Sequence, residues 1–538
     1  MRPRNRLRPT GLKSVLQSHP RRLALRPDAY ANGNQAMIPA QGLSRTSGGD
    51  GASALSADVE SFYHLRHGGH AGKACRGTAC FAARHLDPAC WAEAMQNDPR
   101  VYCLGECFAA PARGQTQPRP LVRVASREGI VLGRIAAGGA RTLAAYREQG
   151  GYTALARALA GPPERVLAAV ETSGLRGRGG AGFPTGRKWR AVAQQPPGVK
   201  YVIANGDEGD PGAYVDRYLM EDDPHCLIEG MILAGYAVGA SKGYIYLRAE
   251  YPVVGTVLRA ALAEARTEGW LGPHVGGGSF SFELEVYSGH GSYVCGEETS
   301  LLRSIEGKRP EVMARPPYPT ERGLFGRPTL LNNAETLVSV PWIVAHGGEA
   351  YAAIGLPNSR GTKALSLNSL FARPGLYEVE FGVTVRRIVE ELGGGLRGGG
   401  KLRGVLIGGP IIGIVPPHLI DTQFGFEELA AIGAGVGHGG IVAFDEHTSI
   451  PELVQHVFSF GSYESCGKCT PCRGGSGRVE EIFDRALAGT ATRGDFQECR
   501  DLVAALRLAS LCGHGTGLAR FAESILRYYP AEIETCFR

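Results

Sequence analysis

The chain has 538 residues, 43% of them hydrophobic and 20% charged, a globular balance at a length too great for one ordinary core, so several domains are expected. Its net charge of +6 owes much to an acid-free start containing Arg2, Arg4, Arg6, Arg8, Lys13, Arg21, Arg22 and Arg26. No run of about 18 uninterrupted apolar residues offers a membrane span, so direct membrane insertion is not expected and the expected location is cytoplasmic.

Residues 1–60 read as a disordered basic tail of low-complexity composition, and no nucleic-acid partner is inferred from it. Apolar positions and paired cysteines then define a first module over 61–120. Its pairs, Cys75 with Cys80 and Cys103 with Cys107, place two thiols on each of two loops. This suits a [2Fe–2S] rhomb in which each iron takes two sulfurs. Disulfides and a zinc site are the alternatives, though disulfides suit a cytosolic chain poorly and zinc knuckles favour two-residue gaps. Residues 121–162 read as a connector.

Over 163–355 strand-like runs alternate with amphipathic helices, which predicts an α/β layer. Three loops in it carry chemistry. The first runs from Gly174 to Trp189 and includes Gly177, Arg178, Gly180 and Lys188. Glycines let backbone N–H groups approach phosphate oxygens, the basic side chains supply opposite charge, and Phe183 and Trp189 could stack on a planar ring. The second, with Asn205, Asp207, Glu208 and Asp210, follows the strand-like "YVIA", where α/β folds bind ligands and acids hold ribose hydroxyls; a solvated turn or a metal site is the alternative. The third, from Gly291 to Ser300, contains Tyr293, Gly296, Glu297 and Glu298 and opens a helix, so its free N–H groups could receive an anion. Cys295 beside His290 resembles a nucleophile pair, but no Asn or Asp orients the histidine in an evident motif.

Residues 356–449, rich in glycine and strand formers, read as a small β-rich domain, and 450–538 as a helical bundle. The sharpest signal is Cys466-Gly-Lys-Cys469-Thr-Pro-Cys472 with a distant Cys512. Three thiolates at this spacing can meet three corners of a [4Fe–4S] cubane and the fourth closes it. Zinc, the alternative, usually arrives on two CxxC knuckles, and the second is absent here. No role falls to Cys90, Cys226, Cys499 or Cys536. The Walker pattern is absent, which disfavours phosphate transfer.

These residues carry a resemblance. With "GLRGRGGAGFPTGRKW", "NGDEGDPGAYVDR", "YVCGEETSLLRSIEG", "GRPTLLNNAETL" and "ESCGKCTPCR", the chain closely resembles the NADH-oxidising flavoprotein subunit of respiratory complex I. The resemblance extends to that subunit's soluble relatives, the diaphorase subunits of NAD-dependent formate dehydrogenases and NAD-reducing hydrogenases. It implies an α/β protein with a thioredoxin-like [2Fe–2S] module, a Rossmann-like FMN- and NAD(H)-binding domain, a β-grasp domain over 356–449 and a C-terminal helical bundle with [4Fe–4S].

By position it implies FMN contacts from Gly177, Arg178, Gly180, Lys188, Asn205, Asp207, Glu208, Gly296, Glu297, Asn332 and Asn333. It places Phe183, Asp210, Tyr293, Glu298 and Tyr318 around NAD(H). Asp210, where many members carry Glu, together with Ala191 and His290, departs from the family pattern and bears on NAD versus NADP preference. A hydride would pass between nicotinamide and flavin and single electrons onward through the clusters. No catalytic acid or base is then required of the protein, Glu298 being the nearest candidate. The implied partners are a metal-containing alpha subunit, favoured as a molybdenum or tungsten formate dehydrogenase, and a small [2Fe–2S] gamma-like subunit. A hydrogenase or complex I-like assembly is the alternative, and a non-catalytic scaffold a remote one.

Overall fold

Ten strands carry the architecture in the computed structural model, which describes residues 72–97, 99–114 and 119–538. The basic tail, and the start of the cysteine module, lie outside the described residues. In chain order the strands are β1 (Leu121–Val124), β2 (Tyr201–Gly206), β3 (Lys242–Leu247), β4 (Glu283–Ser288), β5 (Thr329–Asn333), β6 (Thr362–Leu367), β7 (Gly375–Glu380), β8 (Leu402–Ile407), β9 (Ile414–Val415) and β10 (Gly440–Asp445).

The first sheet has the order β4-β3-β2-β5, and every pair in it is parallel. Parallel strands need long crossovers, supplied here by the helices Pro224–Val238, Pro252–Thr267 and Glu298–Ile305. Proline at its first turn starts Pro224–Val238, and Gly239 ends it in the left-handed conformation that a side chain resists. All of this helix but Tyr236 is buried, and it is apolar apart from the buried His225 and Glu229. Since the four strands run the same way, the loops after Gly206, Leu247, Ser288 and Asn333 open along one edge, where such sheets hold ligands.

The second sheet has the order β1-β7-β6-β10-β8-β9 and mixes parallel with antiparallel pairs. It encloses its own apolar core, including Leu365, Phe371, Tyr377, Val405 and Ile441. Here the structure departs from the connector expected over 121–162. β1 lies within that stretch and pairs in parallel with β7, Leu121 opposite Gly375. Just beyond it, the Glu378 carboxylate accepts N–H bonds from Ile130, Val131 and Leu132 at 2.8–3.0 Å. Four residues of moderate hydrophobicity gave little strand signal without their distant partner.

Over 72–120 the described residues form the helices Thr78–Ala82 and Pro88–Gln96 and a 3-10 turn at Cys107–Ala109, with no strand among them. Packing against the rest of the chain takes the place of a local sheet. Phe81 stacks on His456 with centroids 4.3 Å apart, Tyr102 meets Phe460, and Phe108 meets Tyr214. The helices Ile450–Tyr463, Ser476–Leu487, Arg493–Ala509 and Gly513–Tyr528 build the C-terminal bundle. Among the described residues no helix is long and apolar enough to cross a membrane.

Candidate cofactor sites

The glycine-rich loop runs between the helices Pro163–Ser173 and Thr185–Ala193 and lies flush on the start of Ala334–His346. Gly177 N donates to Phe183 O at 2.9 Å, and Arg178 N to Thr336 Oγ1 at 2.9 Å. A Cβ on Gly179 would stand 2.9 Å from Asn333 Cβ, so only glycine lets the loop approach so closely. Asn333 Oδ1 caps the same helix, accepting from Glu335 N and Thr336 N.

Arg178 is 1% exposed. Its Nη2 donates to Tyr351 OH and Arg360 O, both at 2.7 Å, while Nε and Nη1 have no protein partner. Lys188 Nζ donates to Glu298 Oε2 and Leu331 O, both at 3.1 Å, and Arg315 Nη1 donates to Glu298 Oε1 at 2.7 Å. Burial alone would raise the Glu298 carboxyl; Lys188 and Arg315 outweigh it and hold it below its ordinary value. Phe183 and Tyr318 are about half exposed, offering aromatic surface to a ligand. Trp189, by contrast, is fully buried and donates Nε1–H to Asn332 Oδ1 at 2.9 Å. It is a core residue rather than a stacking surface.

In the acidic loop, Asn205 Nδ2 donates to Gly296 O at 2.9 Å and Asn205 Oδ1 accepts from Asp207 N at 3.0 Å. Asp207 Oδ2 is buried without a protein partner, and burial pushes that carboxyl well up. Glu208 is completely buried, accepting from Asp216 N at 2.9 Å, Arg217 N at 3.1 Å and Tyr251 OH at 3.1 Å. Burial, then the neighbouring Asp216, push it to about 7. His438 reaches in from the β-rich domain, its Nε2 2.9 Å from Asp216 Oδ2 and 3.5 Å from Glu208 Oε1. Burial would lower this imidazole, but Asp216 and Glu208 prevail and raise it to about 9. His438 was missed because "GAGVGHGG" reads as a turn; only an imidazole among glycines marked it.

The third loop differs from expectation at its helix start. Glu297 Oε2 accepts from Thr299 N at 2.9 Å and Ser300 N at 3.0 Å, so the chain's own carboxylate fills the anion position. Its Oε1 is buried without a hydrogen bond. Cys295 is wholly buried, and burial raises its thiol, which removes it as a nucleophile. Tyr293 OH donates to Asp210 Oδ1 at 2.7 Å and Tyr293 N to Glu464 Oε2 at 3.1 Å. The unbonded Arg178 donors, the unpartnered Asp207 Oδ2 and the glycine-rich loop fit a ligand carrying a phosphate and a polar ring, while Glu297 Oε1 pairs with Arg315 Nη2 at 3.7 Å.

Cys466, Cys469, Cys472 and Cys512 meet at the bundle end. Cys512 caps the helix Gly513–Tyr528, and its thiol, raised to about 12 by burial, senses Cys466 and Cys472. Cys472 Sγ lies 3.2 Å from Ser465 Oγ. Val294 and Val312 pack against Cys466 and Cys512. Four sulfurs without an imidazole or carboxylate fit an iron–sulfur cluster.

The second cysteine set is wholly buried. Cys103 Sγ lies 3.6 Å from Cys107 Sγ, Gly77 N donates to Cys75 Sγ at 3.3 Å, and the neighbouring Cys75, with burial, raises the Cys80 thiol. The Cys107 thiol and the Arg248 guanidinium favour the thiolate of Cys103. A Cβ on Gly77 would stand 3.2 Å from Pro211, in the acidic loop. All thirteen cysteines are free of disulfides.

A parallel-sheet crevice with a thiolate site at its border defines a class of α/β electron-transfer proteins. Residues 170–342 match the Nuo51 FMN-binding domain, and residues 452–536 the NADH-ubiquinone oxidoreductase-F iron–sulfur binding region. The chain is 41% identical over 384 residues to the NADP-reducing hydrogenase subunit HndC of Solidesulfovibrio fructosivorans, covering 71% of this chain and 78% of that one. It is 39% identical to an NADH-quinone oxidoreductase subunit of Rhizobium meliloti (strain 1021), over 76% of this chain and 97% of the other. A solved NAD+-reducing [NiFe]-hydrogenase superposes with a TM-score of 0.76 at 30% identity, covering 90% of this chain and 87% of that one. The chain therefore belongs to the family of FMN-binding NADH-quinone oxidoreductase subunits and their hydrogenase counterparts, with that family's FMN-binding domain and [4Fe–4S]-binding region.

Proposed function

We propose that this chain is the diaphorase subunit of a multi-subunit NAD-dependent oxidoreductase. FMN, when bound, supplies the exchange between two-electron and one-electron chemistry. The glycine-rich loop, with Arg178 and Lys188, holds its phosphate side; Asn205, Asp207, Glu208, Gly296, Glu297, Asn332 and Asn333 frame the rest of the crevice. Phe183 and Tyr318 receive the nicotinamide nucleotide, and Glu298, kept ionised by Lys188 and Arg315, orients it together with Asp210 and Tyr293. No side chain needs to move a proton at the reacting carbon.

The observation carrying this reading is the loop around Tyr293–Gly296. On one side Gly296 O binds Asn205 in the crevice; on the other Val294 packs on Cys466 and Cys512. The loop therefore borders both the crevice that would hold FMN and the four cysteines that would hold a [4Fe–4S] cluster, which would supply one-electron acceptance there. Cys75, Cys80, Cys103 and Cys107 would hold a [2Fe–2S] centre, in a module whose Gly77 approaches Pro211 of the acidic loop. Absorption of the purified chain and NADH-dependent ferricyanide reduction test the reading. A colourless, inactive protein after reconstitution with FMN and iron would refute it.

For the partner, the resemblance favours a molybdenum or tungsten formate dehydrogenase alpha subunit with a small [2Fe–2S] gamma-like subunit. The second reading, a hydrogenase, draws support from the superposed hydrogenase chain, which covers 90% of this one. Assaying NAD reduction by the native complex with formate and with hydrogen separates them. Nickel without molybdenum or tungsten would select the second.

A further inference from the structure

Away from the crevice and the cysteine sites, another set of metal-binding side chains meets where the cysteine module touches the six-stranded sheet. His85 lies in the turn after Thr78–Ala82, Asp445 ends β10, and His447 follows two residues later. One ligand atom from each lies within 4.8 Å of the others. His85 Nε2 is 3.3 Å from Asp445 Oδ2, and the two imidazole centroids are 4.8 Å apart. The buried Asp445 carboxylate is fixed in place, with Oδ1 accepting from His447 N at 3.1 Å and Oδ2 left facing His85. Arg84, the neighbouring cation, is engaged elsewhere, its Nη2 on Glu452 Oε2 at 2.5 Å.

A histidine–carboxylate contact alone would account for His85 and Asp445 but leaves the convergence of His447 unexplained. A tetrahedral zinc ion with bonds of ~2.0–2.1 Å needs ligand atoms about 3.4 Å apart. His85 and Asp445 already stand at that spacing, and the exposed His447 brings a third ligand atom within 4.8 Å of both. Two imidazoles and one carboxylate, open to water on one side, form the donor set of borderline divalent transition ions.

We propose that His85, Asp445 and His447 bind one divalent transition-metal ion of the zinc class, which pins the cysteine module to the end of β10. The ion would join two segments 360 residues apart in sequence, from His85 to Asp445, independently of the flavin or cluster chemistry.

The test uses the untagged full chain with its flavin and clusters in place, cleared of loose metal with EDTA and titrated with Zn2+ by calorimetry. One saturable site per chain is expected, weakened at least about tenfold in both His447→Ala and His85→Ala. Zn2+ should slow hydrogen exchange over 78–86 and 445–449 in the unaltered chain and not in His447→Ala. Because His447 is exposed, that variant should keep its visible absorption and fold. Absence of a saturable site, affinity in either variant as high as in the unaltered chain, or protection confined to other segments would each overturn the proposal.

Discussion

Gly177→Ala isolates the ligand's own demand on the glycine-rich loop. A Cβ added there finds no protein atom closer than 3.6 Å, the distance to Phe183 O. At Gly179 the added carbon would lie 2.9 Å from Asn333 Cβ and push the loop off its helix. Gly177→Ala should therefore keep the thermal midpoint of the unliganded chain, whereas Gly179→Ala should lower it. If FMN lies against this loop, the extra methyl at residue 177 meets the ligand. An overpacked methyl costs about 1–3 kcal/mol, which is roughly fivefold to 150-fold in affinity. Flavin fluorescence titration of the unliganded protein reads the constant, and iron content serves as the control. Unaltered FMN affinity in a folded Gly177→Ala chain would refute the cradle.

Lys188→Ala should deplete FMN and leave iron nearly unchanged, since the lysine bonds only within the crevice; equal loss of both in a folded protein would contradict it. Cys469→Ser should abolish electron transfer to partner subunits and remove one [4Fe–4S] paramagnetic signal, while NADH-to-ferricyanide activity persists; disappearance of a [2Fe–2S] signal instead would break the ligand grouping. Glu298→Gln should destabilise the chain at neutral pH and not in acid. Its folded-state carboxyl lies below the ordinary 4.5, so its stabilisation is present above that value and fades as pH falls through the lower folded one. Thermal midpoints from pH 7 down to pH 3.5 should converge for the two proteins, and a constant difference would count against the ion-pair account.

The α/β layer and the bundle were legible because their signals are local: the apolar run of β2, and helical periodicity over Ile450–Tyr463. Cys466, Cys469 and Cys472 stood out as a set because their spacing is short. What escaped depends on distance in sequence. β1 becomes a strand only through β7, and His438 acquires its role from two carboxylates more than 200 residues earlier. Glu297 was read within the loop that opens a helix, but which of its oxygens would be spent on that helix cannot be read from residue order. Trp189 was misjudged for a similar reason: an aromatic side chain beside glycines is equally consistent with a ligand platform and with core.

The pairing of β1 with β7 also sets a timetable for synthesis. Leu121 and Gly375 are partners separated by 254 residues, and at roughly 5–20 residues per second a ribosome needs about 13–50 seconds to supply the second after the first. During that interval the flavin-binding segment can emerge whole and fold while β1 waits as an unpaired ribbon upstream of it. The β-rich sheet is thus completed only after the flavin-binding segment has been made, and β1 presents an unpaired edge for as long as that wait lasts.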